Sequence, residues 1–305
     1  MTPLVIVNPA SAGGRARSEW PGIAAEIRRH LGSFDVAFTE APGDGARLAA
    51  EAARGGRKLV IALGGDGTIS EVADGLLRGR GAAALGILPL GTGGDFRRTL
   101  ELPTRIADAA RVLGKGHTRR IDAGRVSFVD HGGTAVFRHF LNIASLGLSA
   151  EVATRANASS KLLGGRLAFA RATVAAALGH RPPTVRLEID GADAVSATIS
   201  TVCVANGRYF GGGMRVAPEA LLDDGLFDVV VVGDLGLVGL LRNAPRLYAG
   251  THISHARVAS TRGRAVTATA EGDDDVLLEV DGETPGRLPA RFEVLPGALD
   301  LVVPA

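Results

Sequence analysis

Strand and helix alternate without a break through the first 125 or so residues, and that alternation restricts the fold more than any other feature. The run "PLVIV" predicts a strand and "SEWPGIAAEIRRHL" an amphipathic helix. The pairs "FDVAFT" and "DGARLAAEAARGG", "KLVIAL" and "ISEVADGLL", and "AALGILPL" and "RIADAARVLGKG" repeat the pattern. Strands joined through helices run parallel with right-handed crossovers, so residues 1–125 are expected to form an α/β domain on a parallel sheet. Ligands of such sheets lie at the carboxyl ends of the strands.

The texture then changes. "TAVFRHFLNIAS", "TVRLEID", "ATISTVCVAN", "LFDVVVV", "HARVAST", "RAVTATA", "DVLLEVDGE" and "RFEVLP" are short β-type runs divided by Gly, Asp and Pro. They predict a second domain over 126–290, a mostly antiparallel β-sandwich. Two helical patterns, "GGRLAFARATVAAALG" and "LGLVGLLRNAPRLYAG", interrupt it. The last strand, "ALDLVV" within 291–305, is able to return to the first domain. A length of 305 residues suits two ordinary domains.

Charge excludes little. The net charge is +2, so the charge balance alone names no partner, and no nucleic acid is expected among the partners. Lysine occurs only at 58, 115 and 161, and the rest of the 34 basic residues are arginine, a composition bias shared with the many alanines and glycines. One cysteine, Cys203, rules out an internal disulfide or a cysteine metal cluster and reads as a buried thiol. The amino-terminal segment lacks the basic start of a signal peptide, and the most apolar later run, "FDVVVVGDLGLVGLL", is interrupted by Asp228 and Asp234. A soluble, cytoplasmic protein is expected; a lipid substrate would be met at the membrane surface.

Glycines mark the chemistry of the first domain more sharply than its charges do. "VNPASAGGR" follows the first strand, "LGGDGTIS" the third and "LPLGTGGDF" the fourth, so all three loops leave one edge of one sheet. Glycine lets backbone approach a ligand closely, and exposed amides beside helix starts suit phosphate. Thr68 and Thr92 add hydroxyl donors; Asp66 suits Mg²⁺ or a hydroxyl better than phosphate itself. Neither the Walker A pattern nor a GxGxxG first turn is present, which argues against a P-loop enzyme and a dinucleotide dehydrogenase.

These residues resemble the diacylglycerol kinase catalytic-domain family, which includes soluble bacterial lipid kinases and the sphingosine and ceramide kinases. Gly64-Gly65-Asp66-Gly67-Thr68 matches its GGDGT signature, Asn8-Pro9 its opening motif, and "PLGTGGDF" its PLGTGNDF. "FLNIASLG", "VANGRYFGGGMRVAPEALLDDGLFDV" and "EVDGE" are similar to its carboxyl-terminal motifs, in the family's order. The resemblance implies the NAD kinase/diacylglycerol kinase-like fold, with ATP and Mg²⁺ as cofactors and a lipid hydroxyl as acceptor. It puts nucleotide contacts on Asn8, Pro9, Ala10, Ser11, Ala12, Thr39, Gly64, Gly65, Asp66, Gly67, Thr68, Ile69, Ser70 and Thr92. It puts the catalytic base at Glu283 with Asp281 alongside, and Asp66 with the metal. A structural metal is implied at Asp224, with backbone oxygens of Leu221 and Leu226.

The chemistry needs such groups: phosphoryl transfer asks for in-line positioning, neutralised charge and a carboxylate to take the hydroxyl proton. Gly94 stands where the family has asparagine, and Ser70 where it commonly has asparagine. A NAD kinase acting on a soluble dinucleotide, and a nucleotide-binding regulator without turnover, are the alternatives; a homodimer is compatible with either. "SSKLLGGRLAFARATVAAALG" reads as a bilayer-facing segment or a packed helix, "EGDDD" as a solvated loop, and His252 and His255 as exposed helix-end residues.

Overall fold

The computed structural model describes residues 1–91, 93–158, 165–272 and 274–304, without side chains for 165–170. The chain divides into two compact units, Met1–Ile121 with Gly297–Ala305, and Asp122–Pro296.

In the first unit β1 (Leu4–Val7), β2 (Asp35–Phe38), β3 (Leu59–Gly64) and β4 (Ala84–Pro89) pair in parallel in the order β4-β3-β1-β2. The helices are α1 (Arg15–Ser18), α2 (Trp20–Leu31), α3 (Asp44–Arg54), α4 (Asp66–Gly79), α5 (Asp95–Thr99) and α6 (Ile106–Gly114). From β1 the chain steps outward to β2, then returns across β1 to β3. The direction of winding therefore reverses between β1 and β3, where sheets of this order open a crevice at their carboxyl ends. β1, β3 and β4 are largely aliphatic because both sheet faces are covered there: Val5, Ile6, Val60, Ile61, Ala62, Leu63, Leu85 and Leu88 are all buried, whereas edge strand β2 is mostly exposed. Close approach of α3 to α4 requires glycine at 75, since a Cβ there would sit 2.1 Å from the Ala46 carbonyl.

The second unit is rich in antiparallel sheet. It contains β5 (Thr118–Asp130, which begins in the first unit), β6 (Ala135–Phe140), β7 (Ile143–Gly147), β8 (Thr184–Ile189), β9 (Val195–Ala205) and β10 (Phe227–Gly233). β11 (Val258–Gly263), β12 (Ala265–Ala270), β13 (Leu277–Val280) and β14 (Glu283–Val302) follow. Strands run β11-β10-β9-β7-β13-β14, while β12 bridges β14 and β8, and β6 pairs with β5. Three helices, α7 (Leu148–Ala158), α8 (Gly165–Gly179) and α9 (Gly236–Ala249), interrupt the strands. The core is aliphatic around a stacked Phe140–Phe227 pair, with ring centroids 5.6 Å apart. The last residues of β14 lie in the first unit, where Leu301 pairs in parallel with Leu85 of β4.

Several elements differ from their sequence reading. "FLNIAS" is not one strand, because the chain breaks at Leu141-Asn142 between β6 and β7. "LSAEVATRANA" forms α7, whose buried Leu148 and Val152 pack with Ala172 and Ala176 of α8. The buried residues of α7, Leu148, Ala150 and Val152, all fall in its first turns, so no long apolar stripe is there for periodicity to detect. The helix after β3 begins at Asp66 instead of Ile69, so the signature is helix start more than loop. His252 is 3% exposed in a short 3₁₀ turn, its Nε2 3.1 Å from the Val216 carbonyl; it is not a surface residue. His255 is half-buried, its Nδ1 accepting from the Arg257 amide.

Candidate functional site

The three glycine loops of the first unit are tied to one another by side chains. Asn8, just past β1, donates from Nδ2 to Thr68 Oγ1 at 3.2 Å and accepts the Ala10 amide at Oδ1. The loop after β1 is thereby fixed to the loop after β3. Ser11 then opens a 3₁₀ turn in which Ala12, a non-glycine residue, is held at φ 54°. Such left-handed backbone is uncommon outside glycine and costs energy. Pro9 and Ala10 form the bend before it. Thr39 follows edge strand β2 and donates its amide to the Val7 carbonyl at 2.9 Å, which places it beside Asn8 on the sheet's carboxyl edge.

Asp66 ties the second loop to the third. Its Oδ2 accepts the Gly94 amide at 2.6 Å and the Asp95 amide at 3.3 Å. Oδ1 is buried and has no hydrogen-bond partner among the described residues. A buried carboxylate oxygen left in that state is costly unless a ligand satisfies it. Gly64 is obligatory here, because a Cβ would meet Thr68 Oγ1 at 2.4 Å. A cavity of about 190 Å³ lies at this point, lined by Gly64, Gly65, Asp66, Gly94, Arg97 and Arg98 among others. Ile69 also lines it, whereas Thr68 and Ser70 are buried in the first turns of α4. Gly67 lies between them on the same turn. Thr92 lies outside the described residues.

The acidic residues of the second unit sit on a hairpin turn. Asp281 and Gly282 join β13 to β14 with φ 48° and 91°, the double positive φ of a two-residue turn for which Asp-Gly is suited. Asp281 Oδ2 accepts the Leu141 amide at 3.0 Å, and Oδ1 accepts the Asn142 and Ile143 amides, each at 3.1 Å. Buried Glu279 accepts the Gly282 amide and the Ser145 hydroxyl. Glu283 is half-exposed and paired with Arg138 Nη1 at 2.7 Å.

Residues that the sequence reading did not assign hold this turn in place. Asn206 donates to the Leu141 carbonyl at 2.7 Å and the Asp122 carbonyl at 3.2 Å, and Asn142 donates to the Tyr209 carbonyl at 2.7 Å. Asp122 Oδ2 accepts the Gly225 amide at 2.7 Å. The segments around 142, 206, 225 and 281 thus form one polar network, and Asn206 was already legible inside "VANGRYF". Arg138 and Arg97 carry no local signal in the sequence.

The Asp224 carboxylate is engaged by groups of the chain itself. Asp224 accepts the Leu226 amide at Oδ1 and pairs with Arg262 through Oδ2. Arg262 also lies 3.5 Å from Asp228, its cross-strand partner, whose carboxyl burial pushes up against the pull of that arginine. Leu221 is exposed and Leu226 half-buried. Among the described residues no group of three or more His, Cys, Asp or Glu side chains could hold a metal. Cys203 is fully buried, and burial pushes its thiol far up from its ordinary value.

Known proteins match the chain over nearly its whole length. The diacylglycerol kinase catalytic domain matches residues 2–126, and the YegS C-terminal NAD kinase beta sandwich-like domain matches residues 142–303. A diacylglycerol kinase of Mycobacterium tuberculosis (strain ATCC 25618 / H37Rv) is 32% identical over 301 residues, 98% of this chain and 94% of the relative. One from Bacillus subtilis (strain 168) is also 32% identical, covering 98% and 95%. The crystal structure of a diacylglycerol kinase from Bacillus anthracis str. Sterne superposes with a TM-score of 0.73 at 22% identity, covering 99% of this chain and 97% of that one. A second crystal structure from the same organism gives 0.81 at 24%, covering 99% and 95%. The order of the motifs, the two-unit fold and the full-length identity agree: the chain belongs to the diacylglycerol kinase catalytic-domain family, with a YegS-type carboxyl-terminal domain.

Proposed function

We propose that this chain is a lipid kinase that transfers the γ-phosphoryl group of ATP to a hydroxyl of diacylglycerol or a related lipid. The observation that carries the reading is that side chains join the loops after β1, β3 and β4, through Asn8 to Thr68 and through Asp66 to the Gly94 amide, and that the loops after β3 and β4 line one cavity. Loop amides and the start of α4 would receive the phosphates. Asp66 Oδ1, buried without a partner, suits the Mg²⁺ that accompanies ATP, which would neutralise charge on the transferring group.

Glu283 accepts the proton of the attacking hydroxyl as the new P–O bond forms and the bond to ADP breaks. Asp281 is a poorer base, since both its oxygens already accept backbone amides; it holds the turn that carries Glu283. At the Asp224 loop, Arg262 supplies a positive charge to the carboxylate.

Contact with the bilayer would fall on α8 and α9. On α9, Val238, Leu241 and Tyr248 are 66%, 53% and 53% exposed, in a stripe that includes exposed Pro245. Arg242 and Arg246 flank it, and the helix has no acidic residue. Such a face suits an anionic lipid surface. Exposed Val174 and Leu178 of α8 extend it, while Ala172 and Ala176 pack inward. Residues 159–164 of the segment read as bilayer-facing lie outside the described residues. Among the described residues no helix is long and apolar enough to cross a membrane.

The test is mass spectrometry of a lipid panel incubated with enzyme, ATP and Mg²⁺. A gain of phosphate on diacylglycerol or a relative, lost in Glu283→Gln, is expected. No phosphorylated lipid, or conversion of NAD to NADP instead, would overturn the reading.

A further inference from the structure

Gly94 departs from the family's PLGTGNDF, and Arg97 takes up the space that the departure leaves. Gly94 has φ 68°, a left-handed conformation open to glycine and, among residues with side chains, best tolerated by asparagine and aspartate. A Cβ at 94 would lie 3.0 Å from Arg97 Nε and 3.7 Å from Nη2. The guanidinium therefore stands where an asparagine side chain would begin.

Arg97 and its neighbour Arg98 both line the cavity beside Asp66, but they are used differently. Arg98 donates to the Gly93 carbonyl and pairs with Asp95, both at 2.7 Å. Arg97 is half-buried and donates from Nη1 to the Leu102 carbonyl at 2.9 Å, with no ion pair among the described residues. Burial, then the Arg98 charge, hold its guanidinium below the usual arginine range, while Asp66 and Asp95 oppose them. A half-buried guanidinium of this kind gains most from an anion with two oxygens that accept its forked N–H donors together, as a phosphate does. The opposite deficiency lies in the same cavity, at the unpartnered Oδ1 of Asp66. An anion that brings its own cation satisfies both. The cavity, about 190 Å³, is smaller than the roughly 300–1,000 Å³ that encloses a drug-sized ligand, so it suits a phosphate tail and not a whole nucleotide.

We propose that Arg97 binds a phosphate of the metal-bound nucleotide, supplying from position 97 the polar group that Gly94 lacks. The proposal rests on the kinase reading for the identity of the nucleotide. It is tested by calorimetric titration of the full chain with MgATP. Arg97→Ala is expected to weaken binding about tenfold to a hundredfold, and to raise KM for ATP more than it lowers kcat. Gly94→Asn alone displaces the guanidinium and also weakens binding; Gly94→Asn/Arg97→Ala binds better than the sum of the single losses predicts.

Unchanged MgATP affinity in Arg97→Ala, or strictly additive losses in the pair, would overturn the proposal. If Arg97→Ala fails to fold, Arg97→Gln answers the same question. Tight MgATP binding that depends on Arg97, with no lipid phosphorylated, would overturn the lipid kinase reading alone. Lipid phosphorylation whose KM for ATP is indifferent to Arg97 would overturn this proposal alone, and a wild-type chain that binds no MgATP would overturn both.

Discussion

The loop cluster of the first unit and the hairpin network of the second are built from the same residue types, yet they use polar capacity in opposite ways. Around Asp66 a carboxylate oxygen is left without a partner and Arg97 has one backbone acceptor. Around Asp281 three amides converge on one carboxylate, and Glu279 takes two further donors. Unspent capacity marks a place that waits for a ligand; saturated capacity marks a place that holds a shape. Glu283 is the exception in the second region, since it is half-exposed and engaged by one arginine.

The contrast is open to attack at several points. The largest expected effect is on turnover: Glu283→Gln should lower kcat by about 10²–10⁴-fold. Unfolding free energy should change by no more than about 1 kcal/mol, because a partly exposed ion pair is lost. Equal losses of activity and stability would remove the distinction. Asp66→Asn should lower kcat/KM by about 10²–10³-fold, as expected when one preorganised charged contact is removed, again with a modest stability cost.

Asp281→Ala should behave in the opposite sense. Leaving three amides unpaired should cost about 2–5 kcal/mol by urea denaturation, and activity should fall mainly through unfolding. A stable Asp281→Ala protein with lost turnover would move Asp281 into the chemistry.

A smaller effect concerns pH. Burial lowers His252 from its ordinary value, so the folded chain binds fewer protons than the unfolded one. Stability should be full above the unfolded value of about 6.5 and fall as pH drops from there through the lowered folded value. His252→Gln should flatten that slope in melting temperature against pH. The smallest effect is at the Asp224 loop. Chelation by EDTA should leave the melting temperature unchanged, whereas Arg262→Met should lower it by uncovering Asp224 and Asp228.

Much of the first unit could be read from its residues. Aliphatic runs spaced by amphipathic helices leave few alternatives to a βαβ arrangement, and glycines after successive strands point to one edge. The turn at Asp281-Gly282 was legible as an Asp-Gly pair between apolar strands. What Asp281 does was not, because its partners lie about 140 residues away in the chain. Helix α7 escaped notice because its buried residues are few and confined to its first turns, and β14 was read as separate strands because prolines interrupt its sequence. His252 looked exposed because burial depends on what packs over a short turn, here the backbone at Val216.

The sequence alone therefore determined the unit types, the loops that bear glycine and the family motifs, since these follow from local spacing and backbone freedom. Only the tertiary structure decided that Asp66 Oδ1 is unpaired, that Asp281 is saturated and that Arg97 fills the space beside Gly94. Those properties depend on which distant atoms arrive within hydrogen-bond range and which water they exclude, and no local pattern encodes that.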